Sequence, residues 1–276
     1  MLPIVLEQIV QSVKSTPFVW VRDTPTNDEL AYLKTQAFDK SPFDPLFLRK
    51  QTFLDLESGK ARLVCRRGPF ARVLAIVYPE TKLPWNLYSR IFSAFGPPQK
   101  SCVKEGARVW TVFIFANPTE RMFPIETSNT LSVGPAHING GYAFPNNSKS
   151  IVIYREEESE RVLVHELLHA CGSDSFSNSV EIREALTETW AELFLIGILA
   201  KGSLQKAKKL WDIQSQWISD QNFKLHLVYN VKEIQDYPWR YTVARKQCLE
   251  QFGISLPSPN PSSSTSLRFT SPMLLM

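Results

Sequence analysis

From Val180 to Ala200 the sequence reads VEIREALTETWAELFLIGILA, which is apolar on nearly every side if it is helical. Ala185, Leu186, Trp190, Leu193, Phe194, Leu195, Ile196, Ile198 and Leu199 leave no broad polar face, so the rest of the chain has to enclose such a helix. Yet Glu181, Glu184, Glu188 and Glu192 recur at offsets 0, 3, 7 and 11, which puts all four on one side. Carboxylates on an inward-facing helix are costly unless they are paired or bound to a metal. The fold must supply that compensation, or the stripe must lie on the surface.

The segment VLVHELLHACG supplies a reason for it. His165-Glu166-Leu167-Leu168-His169 is an HExxH motif, in a chain with only four histidines. The pattern predicts a helix from about Glu156 to Cys171, stopped by Gly172. Residues four apart on a helix lie one above the other, so both imidazoles can grip one ion. Glu166 falls on the neighbouring flank, within reach of a water on that ion, as a general base requires. Two imidazoles and a carboxylate suit one zinc ion with an open position for water. The extended motif HExxHxxGxxH fits at Gly172 but then meets Ser175, with Asp174 one residue out of register.

Another class of HExxH enzymes takes its third ligand from a following helix. Glu188, in EALTETWAEL, follows His169 after 18 intervening residues. This HExxH-x18-E spacing resembles the gluzincin metallopeptidases, in particular their thermolysin-like aminopeptidase branch, over about 35 residues. The resemblance implies that His165, His169 and Glu188 hold the metal, with Glu184 as the alternative ligand, and that Glu166 is the base. It implies that Glu192 accepts a hydrogen bond from the free ring nitrogen of a ligand histidine. The oxyanion then needs a further donor. Tyr229, Tyr237, Tyr241 and His226 are candidates, and Tyr241 is selected as the catalytic one.

A wider resemblance covers roughly residues 108–200. The order AHINGGYAF (136–144), SIVIYREEE (150–158), HExxH helix and EALTETWAEL is similar to uncharacterised metallopeptidase-like proteins of nucleocytoplasmic large DNA viruses. It implies a viral origin. The sequence departs from that pattern at Glu158-Ser159, where an aromatic residue is expected. Peptidases of this type lay substrate along a sheet edge through backbone hydrogen bonds. Asn139 and Gly140 are therefore expected to contact substrate, with Gly140-Gly141 permitting close approach. The alternative is a tight turn that needs glycine. His137 is read as a loop histidine.

The remaining chain frames the site. The expected fold is α+β and zincin-like: a mixed-sheet upper lobe (residues 1–155), a central HExxH helix opening a helical lobe (156–254), and a disordered Ser/Pro-rich tail (255–276). Strands are predicted over Ala61–Arg66, Arg72–Tyr78, Arg108–Ala116 and Ser150–Tyr154. Helices are predicted near the N-terminus and over Trp85–Phe95, Val180–Ala200, Leu204–Ser219 and Arg240–Phe252. Arg62, Arg66, Arg67 and Arg72 are read as the wet face of a hairpin. The terminal Met-Leu-Leu-Met is read as a frayed end. A net charge of +4 is too small to argue for nucleic acid. Cys65, Cys102, Cys171 and Cys248 are widely spaced, as expected of reduced thiols. With no basic leader and no long apolar run, the chain is expected to be soluble and intracellular, with no membrane partner. The expected partner is a peptide or protein substrate. A zinc protein without proteolytic activity, or another zinc amidohydrolase acting on protein tails, are the rival readings.

Overall fold

The structure, a computed structural model of the chain, describes residues 2–99, 109–124, 132–173, 179–260 and 264–274. In chain order it forms α1 (Ile4–Ser12), β1 (Val21–Arg22), α2 (Asn27–Phe38), α3 (Leu48–Glu57), β2 (Arg62–Arg67), β3 (Ala71–Val77) and α4 (Trp85–Phe95). There follow β4 (Trp110–Phe115), the single turn α5 (Pro135–Ile138), β5 (Gly141–Tyr142), β6 (Ile151–Ile153), α6 (Ser159–Ala170) and α7 (Val180–Ala200). The chain ends with α8 (Leu204–Leu227), a 3-10 turn (Tyr237–Tyr241), α9 (Val243–Gln251) and a 3-10 turn at Pro272–Leu274.

These elements sort into two compact units, and the expected boundary near residue 155 does not separate them. A sheet unit comprises residues 15–120 and 139–173. A helical unit comprises residues 1–14, 121–138 and 174–276. The HExxH helix, expected to open the helical lobe, belongs to the sheet unit.

The sheet unit is α+β, with six strands in the order β1-β2-β3-β4-β6-β5. β1, β2 and β3 pair antiparallel, β3, β4 and β6 pair parallel, and β5 returns antiparallel on β6 as an edge. Every residue of β3 is buried, as a central strand covered on both faces requires. Leu74, Ile76, Phe113, Phe115, Val152 and Tyr154 meet Leu33 and Ala37 of α2 and Leu48 and Phe53 of α3. Strand alternation sends Val73, Ala75, Val112, Ile114, Ile151 and Ile153 to the opposite face. There α6 packs on β5, β6 and α4.

Two helices and a strand of this unit escape the sequence reading. α2 opens with a capping box, in which Thr26 Oγ1 accepts from Glu29 N and the Glu29 carboxylate accepts from Thr26 N. Glu29 also receives Arg72, which pairs with Asp23 as well. Arg72 is therefore buried, a correction to the wet-face reading; Arg62 and Arg67 are exposed as expected. Arg66 lies over the Trp85 ring, 4.4 Å from its centroid. At the anomalous Glu158-Ser159 pair, Glu158 adopts a left-handed conformation (φ 57°) ahead of α6. Ser159 Oγ accepts a 2.7 Å hydrogen bond from Tyr88 Oη.

In the helical unit α7 packs on α1, α8 and α9. Gly197 lets α1 approach, since a methyl group there would fall 2.6 Å from Ile9 Cγ2. The expected helix at 204–219 runs on to Leu227. The C-terminal segment, expected to be disordered, is packed: Leu267, Phe269, Thr270, Ser271 and Leu274 are buried. Side chains of α8 satisfy its backbone, which composition alone could not foretell. Leu275 and Met276 of the terminal tetrad lie outside the described residues, as do Cys102, Arg108, Asp174 and Ser175. Cys65, Cys171 and Cys248 are free thiols. Among the described residues no helix is long and apolar enough to cross a membrane.

Candidate metal centre

His165 and His169 stand one turn apart on α6, so their rings project together. Their Nε2 atoms are 2.9 Å apart, with ring centroids at 4.5 Å. His165 is buried and His169 half-buried. Two nitrogens bound to one tetrahedral zinc at about 2.0–2.1 Å stand roughly 3.3 Å apart, so a shift of a few tenths of an ångström would admit the ion. Donor type and convergence therefore fit zinc.

Glu166 is buried on the adjoining flank of α6 and faces β5. A methyl group on Gly141 would lie 2.6 Å from Val162 Cγ1, 2.8 Å from the Val152 carbonyl and 3.1 Å from Glu166 Oε1. Gly141 thus lets the edge strand and the helix meet, and its φ is not in the left-handed range that a turn glycine would need. The neighbouring Gly140 carbonyl accepts from Tyr154 N at 2.7 Å. Antiparallel alternation then turns the N–H and C=O of Gly141 away from β6. Of the two glycines, Gly141 therefore carries the backbone groups directed away from β6, while the Gly140 carbonyl is taken up by Tyr154.

Asn139 is likewise spoken for within the unit: its Nδ2 donates to Phe43 O at 3.2 Å, and its carbonyl accepts from Arg155 Nε at 2.9 Å. It fixes the start of the edge strand. Tyr142 is anchored by Arg49 Nη1, which donates to its phenol at 2.6 Å, while the phenol donates to Gln36. Burial pushes the Tyr142 phenol well above its ordinary pKa, so it stays protonated.

In the helical unit the acidic stripe of α7 grades from half-exposed to enclosed. Glu181 accepts from Ser179 Oγ at 2.8 Å and sits 3.7 Å from Arg240. Glu184 is half-buried, whereas Glu188 is 3% and Glu192 0% exposed. Glu192 Oε2 is 3.7 Å from Arg245 Nη1, and both side chains are fully enclosed. Tyr241 is buried, with its phenol pKa driven far up by desolvation first and then by Glu184, Tyr237 and Glu188. It therefore stays protonated.

The other oxyanion candidates differ in their surroundings. Tyr229 stacks on Phe123 and donates to the Pro124 carbonyl, and His226 is exposed on the last turn of α8. Tyr237 Oη lies 3.5 Å from Tyr241 Oη. His137 Nδ1 accepts from Gly134 N at 3.1 Å, as a turn histidine does. Arg245 is the residue the sequence reading missed. Its buried partner, Glu192, lies far upstream on α7, and nothing in the sequence marked Arg245 as buried.

No protein-family model matches this chain, and no curated protein or solved structure matches it.

Proposed function

We propose that the protein is a zinc-dependent peptidase that cleaves peptide bonds with an activated water. The observation that carries the reading is the convergence of His165 and His169 Nε2 on a buried helix whose Glu166 faces the edge strand. A structural zinc site has no use for a buried carboxylate on that flank, and this favours hydrolysis over a non-proteolytic zinc protein.

Zinc held by His165 and His169 would supply a polarised carbonyl and a water whose pKa falls to about 7. The third ligand is assigned to Glu188 by the 18-residue spacing, with Glu184 as the alternative. Glu166 takes the proton of the attacking water and returns it to the leaving amine. Its burial keeps that carboxylate in a fixed place between α6 and β5. The N–H and C=O of Gly141 pair with an extended substrate as an added strand. Tyr241, held neutral, is the donor assigned to the oxyanion. Glu192 and Arg245 hold the α7 face as an enclosed ion pair.

Metal content of the purified chain, of Glu188→Ala and of Glu184→Ala tests the assignment. One zinc per chain, lost only in Glu188→Ala, supports the site as drawn. Loss only in Glu184→Ala moves the third ligand one turn. A wild-type chain that stays empty after zinc reconstitution overturns the reading. Screening a peptide library with wild type and Glu166→Gln then separates peptidase from silent zinc protein.

A further inference from the structure

α8 holds the C-terminal segment as a groove holds a peptide. Gln214 Nε2, Trp217 Nε1, Gln221 Nε2 and Lys224 Nζ donate to the carbonyls of Phe269, Arg268, Ser266 and Ser264, at 2.7, 2.8, 2.9 and 2.5 Å. The donors recur every three or four residues and so share one face of α8. Ten helical residues advance about 15 Å, and five extended residues advance about 16–17 Å, so helix and segment keep register while running in opposite directions. Gln214 Oε1 also accepts from Ser271 N at 2.9 Å. On the other side Phe123 N donates to Thr265 O and Leu267 N to Arg121 O, at 2.9 and 2.8 Å.

All these bonds go to backbone, so they seat a chain without choosing its side chains. Phe269 makes the selective contacts. Its ring centroid lies 5.7 Å from the Tyr241 ring, 5.7 Å from the Arg245 guanidinium and 6.0 Å from that of Arg121. Arg245 in turn pairs with Glu192 at 3.7 Å, and the 3-10 turn that carries Tyr241 packs on α7. A guanidinium on an aromatic face is attracted by the ring quadrupole, most strongly when water is excluded.

We propose that the C-terminal segment is a strap, with Phe269 a positioning residue that holds Arg245 on Glu192 and Tyr241 against α7. Retention of zinc by the α7 carboxylates then depends on the seated strap. This dependence rests on the peptidase reading; the positioning itself does not.

The test uses the full chain with Phe269→Leu, Phe269→Ala and Phe269→Tyr. Two quantities are read: amide exchange over 264–274 and 243–251 in metal-free protein, and zinc affinity against a chromophoric chelator. Phe269→Leu keeps apolar bulk and every backbone bond, so the strap should stay protected while residues 243–251 exchange faster. Zinc affinity should fall about tenfold, as for loss of a residue supporting a metal ligand. Phe269→Tyr should restore both. Phe269→Ala should unseat the strap and speed exchange over both segments. Wild-type zinc affinity in Phe269→Leu would overturn the proposal, as would unchanged exchange over 243–251 in Phe269→Ala. If wild type takes up no zinc, the peptidase reading fails, and the exchange of 243–251 still decides whether Phe269 positions Tyr241 and Arg245.

Discussion

The α-carbon of Gly141 lies so near Glu166 that a methyl group on it would stand 3.1 Å from the carboxylate Oε1. The same methyl would meet Val162 Cγ1 at 2.6 Å and the Val152 carbonyl at 2.8 Å. Gly141→Ala should therefore push the edge strand off α6 and cost about 1–3 kcal/mol, the usual penalty for overpacking. Adding Val162→Ala relieves the side-chain clash but not the one with backbone. Urea denaturation of both variants checks this: the double variant should stay less stable than Val162→Ala alone. Equal stability would mean that the strand yields freely, and the close seating of Glu166 would then carry no functional weight.

On the proposed peptidase function, substitution of Glu166 should separate metal binding from hydrolysis. Glu166→Gln keeps the shape of the side chain and removes its basicity, so zinc content should match wild type. Turnover of any peptide found as a substrate should drop about 10²–10⁴-fold, the range for a lost general base. A variant that lost zinc as well would make Glu166 a ligand and not a base.

The cluster of Arg72, Asp23 and Glu29 predicts an acid limb in stability. The carboxyl of Asp23 is held below its ordinary value by the Thr24 N–H first, then by Arg72 and Arg67. For Glu29, burial is the largest effect and raises the pKa, but hydrogen bonds from Arg72 and Thr26 outweigh it, and the net shift is downward. Both folded pKa values thus lie below the unfolded ones, near 3.9 and 4.3. The stabilisation is complete above the unfolded values and is lost as pH falls through the folded ones. Denaturation midpoints measured from pH 7 to pH 3 should fall below about pH 4.5 in wild type. Arg72→Met should start from a lower midpoint and flatten that fall.

How far the sequence could be read depended on whether each side chain acted locally. HExxH needed only helical spacing, and His165 and His169 converge as that spacing required. The β2–β3 hairpin and the bounds of α4 and α7 likewise followed from periodicity and from Gly96 and Gly202 beyond the helix ends. α2 was missed although Thr26-x-x-Glu29 announced it, because its apolar residues are sparse and Leu33 and Ala37 gain their burial only from the sheet. Arg72 looked exposed because its partners, Asp23 and Glu29, lie more than forty residues upstream. The tail looked unfoldable because composition counts its own side chains, while its backbone is satisfied by Gln214, Trp217, Gln221 and Lys224.

Arg49 makes the edge strand a stability problem before it is a functional one. It is 1% exposed, pairs with Asp44 at 3.0 Å, and donates to the Tyr142 phenol and the Asp39 carbonyl. Asp44 also accepts from Leu48 N and Arg49 N at the start of α3. Arg49→Leu would strand a buried carboxylate and should cost about 3–5 kcal/mol. Arg49→Leu with Asp44→Asn should recover part of that loss, since the amide oxygen can still cap α3 without a charge. Thermal melting of the two variants decides it. A double variant no more stable than the single would place the cost in the lost Tyr142 contact and not in the unpaired charge.

Gln214 offers the sharpest separation between a strap and a passive tail. Its amide is fully buried and forms a two-bond clasp on the strap backbone, giving to Phe269 O and taking from Ser271 N. Gln214→Leu keeps most of the volume and leaves that carbonyl and that N–H without their partner in a dry site. Each such loss costs about 1–3 kcal/mol. If the strap folds with the helical unit, the whole loss appears as a lower midpoint of global unfolding. If it docks afterwards, the strap instead opens locally, and amides of 264–274 exchange faster while those of α7 keep wild-type protection. Exchange mass spectrometry distinguishes the two. The second pattern is expected, because the strap is bound through side chains and one short bridge at Met122 and Ser266, whereas α7 is buried on nearly every side.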